Sequence, residues 1–333
     1  MRNGVFWAIL VATGLVFVVV SRLTIANEYF YYAGYVVLEY IVLATAWNIL
    51  GGYTGYTNFG TGAFFAAGAY SSVVLFKLPA LLLATFHWKI PAIPVPVMIA
   101  VGGVVAGLLG LGTGYLTLRL RGVFFAIATL ALSIVLQTLI VNWGFVGGSR
   151  GTYVIRPPAA PLGGGYIQYL FTLMVLLAVI AVGIARSIER SRLGLGFHAI
   201  RDDELAAEAT GVPTLRLKLI STTISGALMG MAGAPLPYFV TYLTPTASFD
   251  LAYAVNSVAM PVIGGMTSWI GPLIGAILLG TIQQLGTVGF FLDLKLDPTF
   301  NLLIVGLLLI LFVIIAPNGI VGLVRSWMGR RET

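Results

Sequence analysis

The sequence predicts an all-α fold: a polytopic transmembrane helix bundle of about ten spans with one large charged cytoplasmic loop. Three observations predict it. Of 333 residues, 59% are hydrophobic and only 9% are charged, against roughly 25% charged in soluble domains. The mean hydropathy is +1.00, and long apolar runs recur along the whole chain. Charge is gathered instead in Arg186 to Lys218, which carries six of the 18 basic residues and five of the 11 acidic ones.

The elements follow in order. Residues 5–21 hold an apolar run behind Arg2, with no small-x-small cleavage site after it, and read as a retained first span. Phe30, Tyr31 and Tyr32 suit an interfacial belt. The second span, 33–50, contains Glu39, and a carboxylate within a span is a candidate for a translocation path. Gly51, Gly52 and Gly55 then predict a helix break. The third span, 56–76, contains Asn58 near its start and keeps a smooth face at Gly60, Gly62 and Gly68. Such small residues serve either tight helix packing or a broken helix that exposes backbone along a path.

Lys77 to Pro96 reads as a proline-rich loop in which His87, beside Trp88 and Lys89, is interfacial. Spans four and five cover 97–118 and 122–143 and are joined by a basic turn with Arg119 and Arg121. Gln137 in the fifth is a neutral polar group within an apolar run, and with Glu39 and Asn58 it is a candidate for the translocation path. A long loop, Gly144 to Gly165, leads to span six, 166–185. After the charged loop, 186–218, span seven covers 219–243 and meets Pro235 and Pro237, which kink or end it. Residues 250–263 are short for an untilted span and form either a tilted or a re-entrant helix. Spans 270–290 and 300–316 complete the set.

Within the charged loop, Asp202 is placed as the N-cap of a short helix, with Asp203 and Glu204 in its first turn. Gly211 and Pro213 stop it after about eight residues, roughly 12 Å. Glu204 and Glu208 share one face, while Leu205, Ala206 and Ala209 offer a small apolar side. A helix of this kind suits a partner's groove, and an ordinary solvated loop helix is the alternative. With this loop inside and ten crossings, twelve basic residues lie inside and six outside, which predicts both termini in the cytoplasm.

Several chemistries are disfavoured. The net charge of +7 comes without a basic face interleaved with aromatics, so no nucleic-acid partner is expected, and inward-biased loops facing membrane lipid explain the excess. The chain has no cysteine, hence no thiolate nucleophile and no Cys-based metal site. Its glycine-rich stretch lacks the Lys-Ser or Lys-Thr of a phosphate-binding loop. No catalytic, cofactor-binding or metal-binding set is assigned, and the protein is not expected to be an enzyme.

Four segments resemble a known family. RSRLGLGFHAIRDDELAAEATGVPTLRLKLISTTISG (190–226), GGYTGYTNFGTGAFFAAGAY (51–70), FVGGSRG (145–151) and VIGGMTSWIGPLIGA (262–276) are similar, in the same order, to permeases of branched-chain amino acid ABC transporters of the LivM type. The resemblance implies a single permease domain over 1–333 in a prokaryotic inner membrane, translocating branched-chain or related amino acids. It implies a homologous second permease subunit, two cytoplasmic ATPase subunits that bind the ATP, and an extracytoplasmic solute-binding protein. In such importers a loop with an EAA-type signature docks on the ATPase. Here Arg201, Asp202, Asp203, Glu204, Leu205, Ala206, Ala207, Glu208, Ala209 and Gly211 occupy that region, with Gly211 seven residues after Glu204 instead of six. Urea and short-chain amide permeases share much of this pattern and stand as the alternative. An ion-coupled secondary transporter is a further one, disfavoured because Glu39 is the one carboxylate clearly within a span.

Overall fold

The structure, a computed structural model, describes residues 3–22, 27–89, 91–117, 120, 122–157, 161, 164–288, 298–316 and 319–329. Arg2, Arg119, Arg121, Lys295, Arg330 and Arg331 of the charge count lie outside them. Helices dominate. In chain order they are α1 (Asn3–Arg22), α2 (Glu28–Thr54), α3 (Thr61–Phe86), α4 (Val95–Thr117), α5 (Val123–Val141), α6 (Tyr166–Glu189), α7 (Arg192–Asp202) and α8 (Glu204–Ala209). There follow α9 (Thr214–Gly233), α10 (Leu236–Val240), α11 (Pro245–Ser248), α12 (Leu251–Gly264), α13 (Ile270–Val288), α14 (Pro298–Ile315) and α15 (Gly319–Gly329). The one departure from an all-helical fold among the described residues is a two-stranded antiparallel ribbon, β1 (Thr152–Tyr153) with β2 (Tyr242–Leu243).

Among the described residues, six helical segments are long and apolar enough to cross a membrane. They are Glu28–Thr54, Thr61–Phe86, Val95–Thr117, Val123–Val141, Tyr166–Glu189 and Thr214–Val240, the last made of α9 and α10. Phe6–Val19 and Ile270–Gly286 are shorter apolar helices. The chain is a multi-pass membrane protein. Helix α12 has 14 residues, about 21 Å at 1.5 Å per residue, short of a hydrocarbon core of about 30 Å.

The chain forms two compact units. Unit one comprises Met1–Gly55, Met174–Thr214 and Val255–Thr333, and unit two comprises Tyr56–Leu173 and Leu215–Ala254.

In unit one, α2 packs along α13. Gly280 of α13 makes room there for Val37 and Tyr40. Here the sequence expectation needs correcting. Gly51 and Gly52 do not break α2, which continues to Thr54 and stops at Gly55, where φ is +78°. Glycine costs a helix about 1 kcal/mol relative to alanine, but every residue from Ile41 to Thr54 is buried. Packing overrides propensity. The Trp47 ring occupies the side-chain space at Gly51, and Gly52 lies against the carbonyl of Met266, 2.7 Å from where its Cβ would stand.

In unit two, α3, α4 and α9 meet at glycine. A Cβ on Gly68 would fall 1.9 Å from the carbonyl oxygen of Gly230, and one on Gly230 would fall 2.5 Å from that of Gly102. These backbones touch, which is the packing use of small residues in membrane helices. Gly62 is different: its Cβ position lies 3.4 Å from the Phe249 carbonyl, an ordinary contact. Helix α3 also runs on through Lys77 and Pro79 to Phe86, where a loop was expected. Lys77 instead donates from α3 to the carbonyl of Phe145 at 2.8 Å. Pro235 does divide the seventh segment, between α9 and α10. Arg156 donates to the carbonyls of Tyr238 (2.5 Å) and Phe239, groups that the end of α10 leaves without helical partners.

Candidate functional site

The segment expected as an open charged loop is helical almost throughout. Helix α6 extends to Glu189, so Arg186 lies in its last turn, buried, with its guanidinium 3.8 Å from the centre of the Phe6 ring and 5.1 Å from that of Trp269. At the other end, Lys218 belongs to α9 and is 3% exposed, and its Nζ donates to the Tyr56 hydroxyl at 3.2 Å. Neither residue serves a solvated loop.

Between them, Ser191 caps α7 by accepting from Leu193 N (3.2 Å) and Gly194 N (3.4 Å). Gly194 is required by close approach, since a Cβ there would fall 2.3 Å from the carbonyl oxygen of Ile188. Gly194, Phe197 and Ile200, three apart, form the buried face of α7, as helical periodicity dictates. This helix was not foreseen from sequence. Two glycines in its first half mask the pattern, and its apolar positions are few.

Helix α8 is shorter than expected and starts later. Asp203, not Asp202, is its N-cap, accepting from Leu205 N at 2.9 Å and Ala206 N at 3.0 Å. Asp202 is the last residue of α7. Two acidic residues in succession offered two caps, and where α7 ends decided between them. At the C-terminal end, Gly211 N donates to Glu208 O at 3.0 Å and Val212 N to Ala207 O at 3.0 Å, with Gly211 at φ +86°. That is the left-handed stop the sequence predicted. Glu208 also accepts from the Thr214 hydroxyl at 2.8 Å, which ties α8 to the first residue of α9. Gly211→Val should therefore cost about 1–2 kcal/mol through backbone strain alone, because nothing lies within 4 Å of the added Cβ. A fall in thermal midpoint is the expected result, and an unchanged midpoint would contradict it.

The face of this segment is set by burial. Ala207 is buried, whereas Ala206, Glu208 and Ala209 are exposed. Leu205 is 63% exposed, and Leu195 on α7 is 71% exposed. Leu195 was missed from sequence because it sits in a Gly-Leu-Gly-Phe run with no readable face. Both leucines stand on helices with side-chain N-caps, Ser191 for α7 and Asp203 for α8.

Arg201 does not join that face. It points inward, and its Nη1 donates to Gly52 O at 2.8 Å, at the carbonyl end of α2. The next residue of α2, Tyr53, donates to Glu189 Oε2 at 3.3 Å, and the same oxygen accepts from Trp269 N at 2.7 Å. Glu189 and Tyr53 were not singled out in the sequence, since their partners are far along the chain.

Of the three residues proposed for a path, one lies in unit one and two in unit two. Glu39 lies in unit one on α2, 4% exposed, with no hydrogen-bond partner for Oε1 among the described residues. Asn58 of unit two is buried, and its Oδ1 accepts from Gly60 N at 2.7 Å, just ahead of α3. Gln137 is half-buried on α5. An apolar hollow of about 350 Å³ in unit two, lined by Ala67, Leu75, Val101, Leu136 and Ile140 among others, includes none of the three.

Apolar helices long enough to cross a membrane define a polytopic membrane protein. The chain belongs to the family of branched-chain amino acid transport system permease components, whose model matches residues 29–313. It is 27% identical over 311 residues to the high-affinity branched-chain amino acid transport system permease protein LivM of Escherichia coli, covering 86% of this chain and 68% of that protein. It is 25% identical to the probable branched-chain amino acid transport permease protein LivH of Methanocaldococcus jannaschii, covering 81% and 84% respectively. Over 161 residues it is 30% identical to the fructose import permease protein FrcC of Rhizobium meliloti, covering 46% and 42%. No solved structure matches the chain.

Proposed function

We propose that this chain is the transmembrane permease subunit of an ATP-binding-cassette importer for branched-chain or related amino acids. The observation that carries this is the family match across 29–313. The fixed α7–α8 surface with its exposed Leu195 and Leu205 supports it. ATP would be bound by two separate cytoplasmic ATPase subunits, one of them seated on that surface, and a homologous second permease would complete the path. An extracytoplasmic solute-binding protein would deliver the solute. On this reading the chain crosses the membrane about ten times, with both termini and the α7–α8 segment in the cytoplasm.

Two measurements test it. In the cysteine-free chain, Arg192→Cys at the exposed start of α7 should resist an impermeant thiol reagent in intact cells. Tyr153→Cys, 71% exposed on β1, should react. The opposite pattern overturns the orientation.

The second measurement is uptake of labelled leucine, urea, a short-chain amide and fructose by the reconstituted complex. Fructose is included because of the similarity to a fructose import permease. ATP-dependent leucine uptake is expected. Uptake of urea or amide alone would move the solute assignment, and uptake driven by an ion gradient without ATP would overturn the class.

A further inference from the structure

We propose that Arg201 is the tie through which movement of the α7–α8 segment reaches the membrane spans, and that it acts on the carbonyl end of α2. This rests on the proposed seating of ATPase subunits on that segment. Helix α7 is fastened as a body by Gly194, Phe197 and Ile200. From its last turn, Arg201 reaches Gly52 O at 2.8 Å. The last four carbonyls of a helix have no partner within it, and a cation there is favoured by the helix dipole. The bond is charge-assisted and therefore stronger than a neutral one.

A second contact lies beside it, with the His198 ring 5.7 Å from that of Tyr53. What Arg201 holds is itself joined to other spans. Glu189, the last residue of α6, accepts at one oxygen from Tyr53 of α2 and from the backbone N of Trp269 at the head of α13. Gly52 lies directly against Met266 of the same α12–α13 turn. Displacing α7 therefore displaces the ends of α2, α6 and α13 together. Exposed residues of α8 are left to receive a partner, while α7 is fastened to α2, whose end is in turn joined to α6 and to the head of α13. Arg201 is thus a positioning residue for transport.

The test uses a reversible tie in the assembled, reconstituted complex. A Cβ at Gly55 would stand 3.8 Å from the Cβ of Arg201, inside the range of about 3.5–4.5 Å that disulfides span. In the Gly55→Cys/Arg201→Cys pair under reducing conditions, ATPase subunits should remain bound while solute uptake per ATP hydrolysed falls about tenfold, a usual coupling magnitude. Oxidation should restore uptake per ATP toward the parent value. The two arms are one polypeptide, so a folding defect would appear in both. Arg201→Lys should be intermediate, because lysine supplies a point charge without the planar fork.

The proposal is overturned if the reduced pair couples as well as the parent, if oxidation restores nothing, or if no disulfide forms. An Ala206→Arg variant run in parallel separates this outcome from the underlying one. If it keeps its ATPase subunits, the seating on α8 fails, whatever Arg201 does.

Discussion

Gly68→Leu should leave little or no folded protein. Its Cβ would begin 1.9 Å from the carbonyl oxygen of Gly230 and 2.7 Å from the Cα of that residue. These are backbone atoms, which cannot swing aside as the end of a side chain can. Nor can α9 retreat, since Gly230 is backed by Gly102 of α4, whose carbonyl oxygen lies 2.5 Å from the Gly230 Cβ position. Overpacking a core costs about 1–3 kcal/mol when side chains can adjust, and here three backbones must separate. Within a membrane, close van der Waals contact is a main source of helix association, so its loss is not offset by a hydrophobic term.

The measurement is the yield of monodisperse, detergent-stable protein. Gly112→Leu, with nothing within 4 Å of its Cβ position, is the matched control and should behave as the parent. Gly68→Leu recovered at the parent yield would show that the α3–α9 contact does not exist as described.

Ala206→Arg should have the second large effect, and its readout is assembly. Ala206 is exposed on α8, so arginine there leaves the isolated permease intact. On the proposed function, the same surface is covered by an ATPase subunit, and a charge buried without a partner costs about 3–5 kcal/mol. At about 1.4 kcal/mol per factor of ten, co-purification of the ATPase subunits should fall at least a hundredfold. Ala207→Arg, one residue on but facing inward, should damage the permease itself and lower its thermal midpoint before any partner is added. Normal ATPase stoichiometry and normal uptake in Ala206→Arg would refute the docking assignment.

The candidate site was partly legible. Gly211 announced a left-handed stop because few other residues tolerate φ +86°, and the Leu205, Ala206, Ala209 side is exposed as its spacing suggested. The N-terminal boundary was not legible, because Asp202 and Asp203 cap equally well and the length of α7 chose between them. Arg201 illustrates the larger gap. In sequence it is one more charge in a charged stretch, and its role depends on Gly52, 149 residues away. No local pattern encodes that pairing.

By itself the sequence determined that the chain lives in a membrane, because a chain this apolar, with so few charges, has too little polar surface to remain in water. It also determined that charge gathers in one stretch, although Arg186 and Lys218 at its ends are buried in helices, and that α9 gives way at Pro235, where the ring removes a donor. Tertiary structure alone decided where α2 ends. Gly51 and Gly52 favour a break by about 1 kcal/mol each, and the packing of Trp47 and Met266 around them outweighs it. It likewise decided which glycines are indispensable. Gly62 and Gly68 look alike on paper, and the opposing backbone presses on only one of them.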